Sequence, residues 1–384
     1  MHSQHHTNGI LLILLLIAAA CAGDSNQKEL VIQVISPSVP DSATVYIAGS
    51  DSALGNWHPA NVALARQPDG IWEKRLYFPP GTELQFKFTL GDWSREALAA
   101  DSTLPGNHVL TLHNDTTVTY RIDAWRDKDT HQPVHGQITG TVRYHRQLAG
   151  DGLKPRDVIV WLPPDYETAL QRRYPVLYMH DGQNIIDPQT SAFGHDWRVD
   201  EVADSLIRAG EIKPLIVVGI YNTPDRSLEY SDTTLGRAYM AFLTGTLKPL
   251  IDRSYRTRPE REHTATMGSS MGGLIAFLLA WQHPETFSAA GCISPAFIYQ
   301  DWKSIHQVNE YRGADKNIRI YIDNGGIGVE DTLQAGCEAM LKALATQGFK
   351  EGENLQWFFD PRAEHNEPAW ARRVWRPLNF MFGK

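Results

Sequence analysis

The chain has 384 residues, which at typical domain sizes is material for about two to three domains. Hydrophobic residues make up 42% and charged residues 21%, values typical of folded globular proteins, so a disordered or collagenous chain is excluded. The net charge of −8 argues against a nucleic acid partner, because phosphate contacts need a surplus of Lys and Arg.

The N-terminus has the pattern of an export signal over residues 1–20. The apolar run Ile10–Ala20 is too short to span a bilayer but has the length of a signal h-region. Its end, Ala18 to Cys21, resembles a bacterial lipobox, in which the signal is cut before a cysteine that is then lipidated. We therefore expect an exported protein anchored in the cell envelope through Cys21. The alternative is an ordinary cleavable signal and a periplasmic or extracellular product.

Residues 29–124 alternate apolar and polar side chains at strand period, with Gly, Pro, Asp and Asn between the runs. This pattern predicts six or seven short strands and a small all-β, antiparallel, immunoglobulin-like sandwich. The polar segment 125–138 follows as a linker.

Residues 139–384 have a different pattern, which begins with two strands of a hairpin and continues with apolar runs that alternate with helical stretches. Such alternation is typical of a mainly parallel sheet with helices on both faces, so we predict one α/β domain. Cys292 and Cys337 fall within a predicted strand and a predicted helix, where buried unpaired thiols are expected.

The sequence Gly268–Gly272 matches G-x-S-x-G between a predicted strand and a predicted helix. A tight strand-to-helix turn needs small residues around a strained serine, and it presents that serine at the positive end of a helix. Ser270 is therefore the candidate nucleophile, whereas Ser269 occupies a variable position of the motif.

A serine nucleophile needs a histidine base and an acid that orients the base, which follow the serine in the order acid, then His, in α/β-hydrolases. His365 lies in a loop after a predicted strand and is the candidate base. Asp331 is the favoured acid, although it could instead cap the following helix, and Glu330 and then Asp323 remain alternatives.

The tetrahedral oxyanion needs two backbone donors, for which the N–H groups of Met271 and Gln183 are the candidates. This chemistry requires no cofactor. The three cysteines are not spaced as in a zinc site, so no metal is expected.

These motifs resemble the putative-esterase family of α/β-hydrolases, which includes esterase D, the enterochelin esterases, bacterial feruloyl esterases and the mycolyltransferases. The resemblance rests on "YPVLYMHDGQN", "IVVGI" followed by "RSLEY", "GSSMGG", "IDNGG" ahead of Asp331, and "EHNEPAW". It implies a Ser270–Asp331–His365 triad, with Gln183 and Met271 as the oxyanion hole.

The N-terminal region is similar to the starch-binding type of carbohydrate-binding module. The similarity lies in "VYIAGSDSALGNWHPANVAL" and "IWEKRLYFPPGTELQFKFTLGDW". It places Trp57 and Trp93 near the positions of sugar-stacking aromatic residues, whereas Trp72 is expected in the sandwich core and Trp57 could also be there.

Together these features predict an exported serine esterase that acts on an ester substrate and is held near α-glucan or another polysaccharide. The expected membrane contact is limited to the lipid anchor. The substrate would be an acylated carbohydrate or phenolic conjugate. A siderophore-ester hydrolase is the enzymatic alternative, and a non-catalytic glycan-binding surface lipoprotein is the alternative of another class.

Overall fold

A computed structural model describes residues 27–40, 42–99, 105, 107–126, 138–192 and 194–384. The chain forms two compact units, residues 1–126 and 127–384. The expected export signal with Cys21 lies outside the described residues, as does most of the expected linker.

The first unit contains two four-stranded sheets, with strand orders β4-β5-β1-β8 and β3-β2-β6-β7. Its strands are β1 Lys28–Ile35, β2 Tyr46–Gly49, β3 Val62–Ala63, β4 Ala65–Arg66, β5 Trp72–Phe78, β6 Thr82–Thr89, β7 His108–Leu112 and β8 Thr116–Arg121. Most neighbours are antiparallel, as predicted, but β1 pairs with β8 in parallel.

The sandwich core comes from alternating positions of both sheets. Leu30, Ile32 and Val34 of β1 are fully buried and share one apolar cluster with Phe86 and Phe88 of β6. Trp72 belongs to the same cluster, as expected. The two-residue side-chain period of the strands therefore accounts for the apolar interior.

The second unit contains an eight-stranded sheet of order β16-β15-β14-β13-β11-β12-β10-β9. Strands β9 and β10 form the predicted antiparallel hairpin, β10 is antiparallel to β12, and the remaining neighbours are parallel. The strands are β9 Thr141–Gly150, β10 Leu153–Leu162, β11 Val176–His180, β12 Ile216–Ile220, β13 Thr264–Ser269, β14 Ala289–Ile293, β15 Arg319–Gly325 and β16 Leu355–Asp360.

Helices accompany this sheet as the sequence pattern predicts. A π-helical turn, Leu243–Leu247, joins two of them. The helices are α1 Val199–Ala209, α2 Arg226–Glu229, α3 Thr234–Phe242, α4 Lys248–Ser254, α5 Met271–Gln282, α6 Tyr299–Glu310, α7 Val329–Thr346, α8 Glu367–Ala371 and α9 Trp375–Phe382. Among the described residues, none of these helices is both long and apolar enough to cross a bilayer.

The sheet lies between two apolar layers. Val158 and Val160 of β10 belong to one buried cluster, and Ile159 and Trp161 of the same strand belong to the other. Cys292 and Cys337 are both buried and free, as expected. Because β11, β13, β14, β15 and β16 are parallel, the segments that follow them leave from one edge of the sheet.

Candidate active site

Ser270 occupies the junction between strand β13 and helix α5. Its backbone has φ 56° and ψ −122°, a conformation that costs an L-residue about 1–3 kcal/mol. The Ser270 N–H donates to the carbonyl of Ile293 at 2.9 Å, which ties the turn to the neighbouring strand. Ser270 is half-buried, whereas Ser269 is 4% exposed at the end of β13. The central serine of the motif is therefore the accessible one.

The glycines of the motif are required by the closeness of the backbone. A Cβ on Gly268 would lie 2.6 Å from the carbonyl oxygen of Gly272, and one on Gly273, directly after the motif, would lie 3.1 Å from that of Ile293. Strand and helix thus meet in a turn that larger residues would open.

His365 lies in the loop between β16 and α8, and its side chain is 18% exposed. Its Nδ1 is 3.3 Å from Oε1 of Glu330, and its ring meets the indole of Trp370 edge-on at 5.0 Å. By contrast, His306 is exposed on α6, and His283 contacts the exposed Glu285. The two other histidines that follow Ser270 are therefore surface residues.

The acid beside His365 is Glu330, which corrects the expectation that Asp331 would hold this position. Helix α7 begins at Val329, so both acidic residues lie in its first turn. Neighbouring helical residues point about 100° apart, and only one of the two can face inward. Glu330 is fully buried, whereas Asp331 is exposed.

The Glu330 carboxylate is held by donors from two other segments. Its Oε1 accepts a 2.6 Å hydrogen bond from the Ser294 hydroxyl, and its Oε2 accepts one of 3.0 Å from the Gly325 N–H. Burial alone would raise the pKa of Glu330, but His365 and these donors hold that pKa below its ordinary value. Glu330 is therefore ionised at neutral pH.

Asp323, the third candidate acid, is also fully buried but has other partners. Its Oδ2 accepts from the Tyr321 hydroxyl at 3.0 Å, and its Oδ1 lies 3.1 Å from Nε of Arg373. Sequence reasoning missed Arg373, Ser294 and Trp370 around these acids. Trp370 ends the motif "EHNEPAW" but had no assigned role, and no local motif marks Arg373 or Ser294, since β14 and the α8–α9 segment meet only in the folded chain.

The two candidate oxyanion donors follow neighbouring parallel strands. Met271 is the first residue of α5, where a backbone N–H has no partner within the helix. Gln183 lies in a 3₁₀ turn, Gly182–Asn184, directly after β11. The Gln183 side chain accepts from the Asn222 N–H at 3.2 Å, which fixes this turn. Because the Gln183 side chain is engaged in this contact, the backbone N–H of Gln183 is the group available to an oxyanion.

An ion pair between the buried Asp181 and the half-buried Arg226 holds the same loop beside the serine turn. Arg226 donates to both carboxylate oxygens of Asp181 at 2.7 Å, and the Asn222 amide donates to Oδ1 at 2.6 Å. Burial would raise the pKa of Asp181, but Arg226 lowers it. A Cβ on Gly272 would lie 3.2 Å from Oδ2 of Asp181, so this carboxylate borders the start of α5.

In the sandwich, Trp57 and Trp93 are both half-buried. The backbone N–H of Trp57 donates to the carbonyl of Gly49 at the end of β2, and Trp93 begins a 3₁₀ turn after β6. The Thr89 hydroxyl at the end of β6 donates to the carbonyl of Pro59 at 2.6 Å. The two tryptophan-bearing loops therefore leave the same sheet and are tied together through Thr89.

Within the described residues, Asp196, Asp200 and Glu201 form the one acidic group whose oxygens approach closely enough to hold a metal ion. Oδ2 of Asp200 accepts from the Thr139 N–H at 2.6 Å. Burial and then Glu201 raise the pKa of Asp200 to about 8. Asp200 is therefore mostly protonated at neutral pH, which reduces its repulsion of Glu201.

Two family models match the chain. The model described as "Putative esterase" matches residues 154–372, and the model described as "Starch binding domain" matches residues 29–122. The esterase match spans more than half of the chain and includes the serine turn, Glu330 and His365.

Known proteins are similar to parts of the chain. An endo-1,4-beta-xylanase/feruloyl esterase of Xylanibacter ruminicola is 32% identical over 164 residues, which are 42% of this chain and 22% of that protein. A solved ferulic acid esterase superposes with a TM-score of 0.53 at 23% identity, over 63% of this chain and 98% of its own. The enterobactin esterase FES from Shigella flexneri superposes with a TM-score of 0.54 at 14% identity, over 88% of each chain. The two superpositions support the fold of the second unit. The match to the Xylanibacter protein covers about a fifth of that protein's length.

Proposed function

Because the chain belongs to the putative esterase family and is an esterase of the serine-hydrolase type, we propose that it removes an acyl group from a carbohydrate or phenolic conjugate. The observation that carries the proposal is the 3.3 Å contact between His365 and Glu330. His365 and Ser270 both follow parallel strands that end at one edge of the sheet.

In the proposed mechanism, the Ser270 hydroxyl attacks the ester carbonyl while His365 takes its proton. Ionised Glu330 stabilises the resulting imidazolium and holds the ring in the required tautomer. The Met271 and Gln183 N–H groups stabilise the oxyanion. His365 then protonates the leaving alcohol, which yields an acyl-enzyme, and water activated by His365 releases the acid and restores Ser270.

Two observations support the substrate class. The Xylanibacter relative carries a feruloyl esterase activity in its name, and residues 29–122 match a starch-binding domain. The paired loops of Trp57 and Trp93 present indole rings that can stack on sugar C–H faces. In this proposal the sandwich holds the enzyme on a polysaccharide.

A second candidate is a siderophore-ester hydrolase. It is favoured by the superposition on the enterobactin esterase, which extends over 88% of this chain rather than over the second unit alone. At 14% identity this likeness concerns the fold, so the candidate ranks behind the first.

A turnover screen distinguishes the two candidates. The purified full chain is assayed on feruloyl-arabinose, an acetylated xylose and a catecholate-serine ester, with Ser270→Ala as the blank. Turnover of the first or second substrate supports the leading proposal, and turnover of the catecholate ester alone favours the second. Hydrolysis of none of them contradicts both.

Glycan binding is tested by the migration of the full chain in a native gel that contains soluble starch. Trp57→Ala and Trp93→Ala should each weaken retardation, since buried aromatic contacts contribute about 1–3 kcal/mol. Tyr77→Ala is the matched control, because Tyr77 is 55% exposed but lies on the other sheet of the sandwich. Retardation unchanged in both tryptophan variants would contradict the assignment.

Export and lipidation are further parts of the proposal, and the sequence at residues 1–21 supports them. Expressed in a bacterium from its full sequence, the protein should fractionate with membranes and carry a fatty acid. Cys21→Ser should remove the lipid. A membrane-free wild-type protein would leave the ordinary cleavable signal as the better description.

A further inference from the structure

Arg373, between helices α8 and α9, is buried among the acidic groups of the site. The residue is 3% exposed, yet its guanidinium meets two carboxylates and a hydroxyl. Nε lies 3.1 Å from Oδ1 of Asp323, Nη2 lies 3.7 Å from Oε1 of Glu330, and Nη2 donates to Oγ of Ser294 at 2.6 Å. A long cationic side chain is rarely buried without a specific partner.

Ser294 links this guanidinium to Glu330. Its hydroxyl oxygen accepts from Nη2 of Arg373 and, at 3.1 Å, from Nε1 of Trp370. Because both donors point at the oxygen, the hydroxyl proton is directed to Glu330, which accepts it at 2.6 Å. Ser294 itself is fixed by its N–H, which donates to the carbonyl of Asp323 at 2.9 Å.

The order of distances shows how the charge is shared. Arg373 lies closer to Asp323 than to Glu330. It therefore does not draw Oε1 of Glu330 away from Nδ1 of His365. Two fully buried carboxylates with no cation beside them would compete for a proton. The guanidinium between them lowers the pKa of Asp323, which burial raises above its ordinary value, while the pKa of Glu330 stays below its ordinary value.

We propose that Arg373 is a positioning residue for ester hydrolysis, which keeps Glu330 ionised and directed at His365 through the Ser294 hydroxyl. The proposal rests on the proposed function, in which Glu330 orients the base.

Other ionisable groups near the cluster are neutral, acidic or, in the case of Arg376, placed with the guanidinium carbon 3.6 Å from the ring centroid of Phe358. Burial raises the pKa of the Tyr321 hydroxyl and of the thiols of Cys292 and Cys337, so these groups are neutral at neutral pH. Further charged side chains near Asp323 or His365 are Arg376, on α9 beside Tyr321, Glu364, which is exposed beside His365, and Glu367, at the start of α8.

The test compares the pH profiles of kcat/KM for Arg373→Met, Arg373→Lys and the control Arg372→Met. The substrate is an ester that the wild-type protein hydrolyses. Without the guanidinium, a carboxyl of the buried pair Asp323 and Glu330 takes up a proton more readily, so the acid limb should move upward by about one pH unit. We expect kcat near neutral pH to fall about tenfold or more in Arg373→Met, with KM little changed. Arg373→Lys, which keeps the charge, should restore the acid limb.

Arg372→Met should behave as wild type, because Arg372 is exposed. Ser294→Ala provides a second test if Arg373→Met does not fold, and it should lower kcat with KM unchanged. An acid limb that does not move in Arg373→Met, or a wild-type kcat in Ser294→Ala, would overturn the proposal. The proposed function would be unaffected as long as the wild type still hydrolyses the ester through Ser270. A wild-type protein that hydrolyses no ester would instead refute the proposed function.

Discussion

Oε1 of Glu330 lies 3.3 Å from Nδ1 of His365, and the first turn of a helix therefore carries the acid that faces the candidate base. The helix N-terminus adds a positive partial charge beside this carboxylate, which favours its ionised form.

Glu330→Gln should lower kcat by roughly 10³- to 10⁴-fold, because an amide no longer stabilises the imidazolium. Asp331→Asn is the matched control one residue away, and its exposed side chain should leave kcat within twofold or so of wild type. Steady-state kinetics and thermal melts are measured on both variants. A large loss of kcat in Asp331→Asn would show that the acid had been assigned to the wrong residue.

Ser270→Ala should abolish ester turnover, since the residual rate of triad variants is several orders of magnitude lower. Ser269→Ala should keep most of its activity, because Ser269 is 4% exposed at the end of β13. A fluorophosphonate probe followed by peptide mass spectrometry should label Ser270 in wild type and in Ser269→Ala. Label on any other serine would contradict the assignment of Ser270 as the nucleophile.

Gly325→Ala should reduce both stability and activity. Its Cβ would lie 2.4 Å from the carbonyl oxygen of Ala363, in the segment that carries His365, and 2.7 Å from Cγ of Glu330. Such overpacking typically costs about 1–3 kcal/mol, measured by denaturant unfolding. Gly245→Ala is the control, because nothing lies within 4 Å of its added Cβ, and it should unfold at the same or a higher denaturant concentration.

His180 should make the second unit less stable in mild acid. The fully buried ring bonds to the hydroxyls of Tyr239 and Thr266, and burial lowers its pKa from 6.5 to about 3. Between these values the unfolded chain binds a proton that the folded chain refuses, so the free energy of unfolding falls as pH falls through this window. From pH 6.5 to about pH 5 this amounts to about 2 kcal/mol.

Chemical denaturation at both pH values is compared for wild type, His180→Gln and His306→Gln. The His180 variant should lose less stability on acidification than wild type. His306 is exposed, so its variant should follow wild type. Equal acid sensitivity of all three proteins would show that His180 titrates normally.

The strands and the serine turn could be predicted because their signals are local. Period-two alternation marks a strand wherever it occurs, and the small residues of Gly268–Gly272 describe a turn that the structure contains. Pairing between distant strands has no such signal, and the parallel alignment of β1 with β8 was therefore not predicted.

Sequence reasoning reduces the candidate acids to three residues and favours Asp331, whereas the structure places Glu330 beside His365. The choice depends on where helix α7 begins. A helix capped by Asp331 would begin at Thr332, but α7 begins three residues earlier, at Val329. That shift turns Glu330 inward and Asp331 outward. Arg373 and Ser294 had no local signal, because their roles arise from contacts between segments far apart in the sequence.

His365 follows β16, the last strand of the sheet along the chain, and Ser270 follows β13. A chain made from its N-terminus therefore completes the serine turn well before it acquires the base. A nascent molecule would carry a serine without hydrolytic power. Activity would begin only when folding is nearly finished, so a partly synthesised chain would spare the esters around it.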